Sequence, residues 1–143
     1  IESGADFETV VEKAELYSRH THVVFALSSF NNLVKNGRMS KIVGFVANKL
    51  GFWGIGIGSE QGTIEIKQKI RGSKKALDAI IEDMKERGYN CGKVVISHCR
   101  NAEFAESVKS AIQSVWDKAE VKIVHARGLC SYYAEKGGLI IGF

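Results

Sequence analysis

Two short apolar runs separated by an amphipathic one organise the second half of the chain: KVVIS at 93–97, AEFAESVKSAIQSVW at 102–116 and VKIVHA at 121–126. The outer two read as strands, and the middle one carries its apolar residues at helical spacing. Strand, helix and strand in that order indicate βα units laid on one sheet. The chain contains no proline, so nothing breaks these units and every turn rests on Gly, Asn, Asp or Ser.

The first half adds two kinds of element. Residues 6–19 place Phe7, Val10, Val11, Ala14 and Leu16–Tyr17 on a helix, with Asp6 as its N-cap. HVVFAL at 22–27 reads as a buried strand. Ser28 or Ser29 then caps a short helix through Lys35, which Asn36-Gly37 stops. Ser40 opens another helix, KIVGFVANKL, apolar around most of its circumference, so it is buried or faces something other than water. FWGIGIG at 52–58 and TIEIKQKI at 63–70 form a β-hairpin around Ser59-Glu60-Gln61-Gly62. Its wet face follows from alternation, with Ile64, Ile66 and Gln68 on one side and Glu65, Lys67 and Lys69 on the other. Ser73 caps a long helix ended by Gly88. A stretch from Gly128 to Gly138 has room for a short helix before the last strand, LIIGF. The expected fold class is α/β: one mixed β-sheet of about five or six strands, covered by helices, with an inserted β-hairpin. Residues 1–143 are expected to form a single domain.

Composition narrows the function classes. At 143 residues, 45% hydrophobic and 25% charged, the chain resembles an ordinary globular domain. No apolar run reaches the roughly 18–20 residues of a membrane span, and no leader is visible, so integral membrane association is not expected. Cys91, Cys99 and Cys130 are an odd count without a CxxC pair. That argues for a reducing, cytoplasmic compartment and buried thiols, and against a zinc site, so no metal is expected. The formal charge of +4 is mildly basic. Trp53 and Phe52 adjoin the basic cluster in sequence, yet no nucleic-acid recognition fold is signalled and no nucleic-acid partner is expected.

Catalytic constellations are thin. Gly54-Ile55-Gly56-Ile57-Gly58 is GxGxG leading into a strand, not the GxGxxG between strand and helix that holds a dinucleotide. Alternating glycines instead strip one strand face, permitting close approach by a helix or a long apolar ligand. His20, His22, His98 and His125 have no GxSxG or HExxH around them, so no catalytic residue is assigned. Lys67, Lys69, Arg71, Lys74 and Lys75 are either a solvated face or an anion site at a helix start. The alternative function follows from that site: an enzyme acting on a small phosphorylated or carboxylated substrate at Arg71–Lys75, though no nucleophile with a base accompanies it. Asn36-Gly37-Arg38-Met39-Ser40 delivers Arg38 to the start of the apolar helix, an arrangement suited to an amphiphile with an anionic head and a long tail.

The segment Leu33-Val34-Lys35-Asn36-Gly37-Arg38-Met39-Ser40-Lys41 resembles the "LKKGGRIS" signature of the DegV family. Lys69-Ile70-Arg71-Gly72-Ser73-Lys74-Lys75-Ala76-Leu77 resembles its "KVRxxKKAL" segment. Val94-Val95-Ile96-Ser97-His98 resembles its strand ending in His, and Gly138 to Phe143 its closing strand. The resemblance implies a bacterial fatty-acid-binding protein of two α/β domains, with one acyl chain buried between them. It implies no catalysis and no cofactor. In the best-understood branch of the family the bound fatty acid is presented to a separate kinase. By the same resemblance this chain, which opens on Ile1, is the C-terminal half, and the absent N-terminal domain keeps the hydroxyls that hold the carboxylate. A half-pocket leaves apolar surface exposed, so self-association of such a fragment is expected.

Matched position by position, Arg38 and Arg71 belong to the head-group end or to the kinase-docking surface. Val43, Val46, Ala47 and Leu50 match the helix that walls the acyl tail; strand alternation adds Phe52, Ile55 and Ile57. One stretch departs from the family. Where the family often has Gly-Thr-His-Thr-Gly-Pro-Gly, this chain has Ser131-Tyr132-Tyr133-Ala134-Glu135-Lys136-Gly137. Tyr133 takes the His position. Its hydroxyl can donate a hydrogen bond to a carboxylate but cannot carry positive charge, which implies a different head group or partner in this branch.

Overall fold

A computed structural model describes residues 4–38, 51–59 and 63–143. The predicted helix from Ser40, and with it Val43, Val46, Ala47 and Leu50, lies outside the described residues. In chain order the elements are α1 (Phe7–Arg19), β1 (Val23–Leu27), α2 (Asn31–Lys35), β2 (Phe52–Gly58), β3 (Ile64–Arg71) and α3 (Ser73–Glu86). They continue with β4 (Lys93–His98), α4 (Ala102–Val115), β5 (Glu120–His125), α5 (Gly128–Ala134) and β6 (Leu139–Gly142).

The described strands form one six-stranded sheet in the order β3-β2-β1-β6-β4-β5. Only β4 and β5 run parallel, joined by the α4 crossover; the other neighbours are antiparallel. The mixed sheet with an inserted hairpin, β2–β3, is thus as expected. Helices α3 and α4 cover one face. Val24 and Ala26 of β1, Ile55 of β2, Val94 and Ile96 of β4, and Leu139 and Ile141 of β6 meet Ile80 and Met84 of α3 and Phe104, Val108 and Ile112 of α4 there. The second face is different. Phe25 and Leu27 of β1 form a smaller cluster with Phe30, Leu33 of α2 and Ala134 of α5, flanked by Ile66, Tyr133 and Ile140.

The caps differ from the sequence expectation in two places. Phe30, not Ser28 or Ser29, sits at the N-cap of α2 and makes no side-chain cap bond. The Ser29 hydroxyl is engaged elsewhere, donating to Glu135 Oε2 at 2.6 Å. Helix α3 starts after Gly72 (φ +90°), again without a side-chain cap, so Ser73 is its first residue and not its cap. The stop at Asn36-Gly37 holds: Gly37 N–H donates to Val34 O and Arg38 N–H to Leu33 O, with Gly37 at φ +67°. This paired closure needs a left-handed residue, which glycine adopts without steric cost.

Strict alternation in β3 fails at a β-bulge. Ile55 pairs with Gln68, but the next residue, Gly56, pairs with Ile66, leaving Lys67 as the extra residue. One inserted residue turns the following side chains to the opposite face. Ile66 therefore joins the cluster on the second face, while Ile70 packs under the helices. The thiols also depart from expectation: Cys91 and Cys99 are half-buried, and Cys130 is exposed.

Candidate functional site

The second sheet face holds an apolar cavity of about 240 Å³. Val23, Phe25 and Leu27 form its floor along the whole of β1. Gly58, Thr63 and Ile64 of the hairpin close one end; Leu33 of α2 and Tyr133 and Ala134 of α5 close the other, with Ile140 of β6 alongside. Three alternate residues of one strand share a face by the two-residue period, so the floor extends straight along the strand. Among the described residues of its wall, Thr63 and Tyr133 carry hydroxyls. An elongated hydrocarbon fits so largely apolar a lining.

The glycine strand lies beside this floor. Ile55 and Ile57 pair with Ala26 and Val24, whereas Gly54 and Gly56 pair with Leu27 and Phe25. The stripped face is therefore the second face, and Ile55 packs on the opposite, helix-covered one. Strand alternation puts Ile55 and Ile57, which the sequence reading assigns to an acyl-tail lining, on the same side as each other and away from the glycines, outside the lining of this cavity. The close approach at two of the glycines comes from the protein itself. A Cβ at Gly54 would collide with the Phe30 ring, and one at Gly56 with the Phe25 ring and the Glu65 carbonyl; only Gly58 faces open space. Phe52 shares the parity of the glycines and is half-buried opposite Arg71, at the end of the sheet where β1 finishes.

That end gathers the polar groups. Arg71 is exposed at the close of the edge strand β3, and the Gly72 N–H after it donates to Gly51 O at 3.0 Å. Arg38 is exposed just beyond the α2 stop, and its N–H closes on the carbonyl of Leu33, whose side chain is a wall of the cavity. Among the described residues neither arginine has an ion-pair partner; the pairs present are Arg87–Asp83 and Arg19–Glu15. Tyr133 borders the cavity itself and stacks edge-on against Tyr132 at 5.2 Å.

Sequence reasoning missed the polar lattice that fixes this end. Glu135 accepts from Ser29 Oγ at 2.6 Å and from the Asn32 N–H at 2.8 Å. The Asn32 amide donates to Tyr132 O, and the Asn36 amide to Tyr132 Oη at 2.9 Å. Asn101 Nδ2 donates to Gly137 O. The Ser, Asn and Glu residues are scattered over some hundred positions, so no local pattern announces them. Phe25, Leu27 and Ile140 were missed for a different reason: a strand apolar on both faces gives no sign of which face is covered.

His98, nearly buried, and His125 are neighbours across the parallel β4–β5 pair, with rings 4.5 Å apart. Nδ1 of His98 accepts the Asn101 N–H at 3.1 Å, which leaves the ring proton on Nε2. Burial holds the His98 pKa below the usual histidine value, and the neighbouring His125 lowers it further. Residues Arg71 to Lys75 at the α3 start are all exposed. Among the described residues no group of three metal-binding side chains comes together.

A second cleft of about 350 Å³ lies at the opposite end of the sheet, between the α1 terminus and the turn after α3. His20, His22, Arg87, Tyr89, Cys91 and Lys93 border it. Its lining is mixed, and it is remote from the arginines at the other end.

A family model described as an uncharacterised protein of the DegV family matches residues 1–143. The chain belongs to the DegV family. A DegV domain-containing protein of Streptococcus pyogenes serotype M1 is 43% identical over 143 residues, covering 100% of this chain and 51% of the relative. The DegV chain thus spans about half the length of the curated relatives it matches. Among solved structures, the fatty acid kinase (Fak) B3 protein of Streptococcus pneumoniae, loaded with linoleic acid, superposes with a TM-score of 0.94 at 40% identity, over 99% of this chain and 50% of that one. A DegV family protein of Eubacterium eligens loaded with heptadecanoic acid gives 0.94 at 38% identity, over 99% and 51%.

Proposed function

We propose that this chain is one half of a protein that binds a single long-chain fatty acid, does no chemistry on it, and presents its carboxylate to a kinase partner. The apolar cavity along β1 is the observation that carries the reading. At about 240 Å³ it falls below the roughly 300–1,000 Å³ of complete small-molecule sites, as one wall of a larger site would. The two relatives with TM-scores of 0.94, one loaded with linoleic acid and the other with heptadecanoic acid, support the ligand class, and the kinase name of the first supports the partner. Their doubled length supports an N-terminal domain that closes the open side of this face.

In this reading the tail lies over Val23, Phe25 and Leu27 and against Ile140; Val43, Val46, Ala47 and Leu50, assigned to the tail by the family resemblance, lie outside the described residues. Each CH2 removed from water contributes roughly 0.8 kcal/mol, so the tail supplies most of the affinity. Arg38, Arg71 and Tyr133 stand at the end where the head group or the docked kinase belongs, and set orientation. No metal or cofactor takes part. Three free thiols fit a cytoplasmic setting.

Native mass spectrometry with solvent extraction, on the full-length protein as it leaves the cell, tests the proposal. A bound fatty acid that survives purification supports it and identifies the chain. A protein that arrives empty and takes up no offered linoleic acid overturns it.

A further inference from the structure

We propose that Glu135 is the positioning residue of this site, a latch that fixes α2 against α5 and thereby sets one end of the acyl cavity; the proposal rests on the fatty-acid reading. The first observation is backbone geometry. Glu135 sits at φ +52°, ψ 178°, close to a region that is nearly restricted to glycine. A residue with a side chain persists there only when its surroundings over-determine it.

The side chain shows what does so. Its Oε1 accepts the backbone N–H of Asn32 at 2.8 Å, and its Oε2 accepts the Ser29 hydroxyl at 2.6 Å and the Asn31 amide at 3.4 Å. Helix α2 has five residues and no side-chain cap from Phe30, so it is far too short to be stable alone and depends on tertiary ties. The Glu135 carboxylate is an acceptor in its first turn, delivered from the end of α5. Ser28 Oγ donates to Lys136 O and Asn101 Nδ2 to Gly137 O, so the chain immediately after Glu135 is tied down as well. The latch joins two walls of one cavity. Leu33 projects from α2, and Tyr133 and Ala134 from α5, into the same end of it.

Release of linoleic acid from the full-length protein, followed by exchange against deuterated linoleic acid, tests the latch. Glu135→Gly removes the backbone strain together with the carboxylate, so the fold and the melting temperature are retained while release accelerates about tenfold. Glu135→Gln keeps an acceptor oxygen for Asn32 and restores release to within about threefold of the parent. Hydrogen exchange at the Asn32 amide speeds up in Glu135→Gly and recovers in Glu135→Gln. Unchanged release in Glu135→Gly, from a protein that still loads linoleic acid, overturns the latch and leaves the fatty-acid reading standing. A parent protein that loads no linoleic acid overturns both, and the Asn32 exchange then reports a tie without a role in binding.

Discussion

Phe25 and Gly56 face each other across the β1–β2 ladder, and the Phe25 ring fills the space that a side chain at position 56 would need. The Glu65 backbone carbonyl closes the same space from β3, so no rotamer change can open it. Gly56→Ala is therefore expected to destabilise the domain by about 1–3 kcal/mol, the usual range for overpacking. Gly58→Ala, where a Cβ meets open space, is expected to change stability by less than about 0.5 kcal/mol. Urea unfolding of the two variants checks the contrast; equal costs would mean that the Phe25 ring and the Glu65 backbone both give way.

His98 makes stability depend on pH. Its folded pKa lies below the ordinary value of 6.5, because burial and His125 both disfavour the charged ring. Below about pH 6.5 the unfolded chain binds a proton that the native state refuses, so stability is complete above that value and falls as the pH drops towards the depressed folded pKa. Chemical denaturation between neutral and mildly acid pH should show this slope. His98→Asn offers the Asn101 N–H an acceptor without a titrating ring and should flatten it. A slope that persists in that variant assigns the effect to another group.

The division of labour between wall and head-group end is also measurable. Ile140→Asn places an amide on the wall of the apolar cavity, and an unpaired buried amide costs about 1–3 kcal/mol. Under the proposed function, fatty-acid retention by the full-length protein should fall about tenfold or more, while Arg38→Ala, at an exposed position, should cost less. The reverse ranking in a lipid-exchange assay would place the affinity in the head group.

Helix α1 has no buried residue, and Phe7, Leu16 and Tyr17 are 75%, 59% and 68% exposed. Large apolar side chains left in water favour association. The 143-residue chain alone should sediment as a concentration-dependent oligomer, and Phe7→Lys with Leu16→Lys should return it towards the monomer without loss of stability. An oligomer unaffected by the pair would point to the open sheet face instead.

Element type was legible from local pattern wherever one covalently continuous segment carried the whole signal. The helical spacing from Phe7 to Tyr17, the βα run from Lys93 to Ala126 and the stop at Asn36-Gly37 all depend on neighbours in sequence, and all stand in the fold. The hairpin stands too, but its alternation did not survive the bulge at Lys67, whose position is set by pairing with β2. Periodicity groups Ile55 with Ile57 without saying which side of the sheet the helices will cover.

The sequence by itself determined the α/β class, the family and the two arginine-bearing turns, because these rest on propensity, spacing and short motifs. Only the tertiary structure decided that Phe25, Leu27 and Ile140 share an apolar cavity, and that Phe30 and Phe25 fill the glycine gaps. It alone joined Glu135 to Ser29 and Asn32 across about a hundred residues. The physical reason is range. A strand's two faces are equivalent until distant helices bury one of them, and a carboxylate's partners are chosen by proximity in space, which chain order does not encode locally.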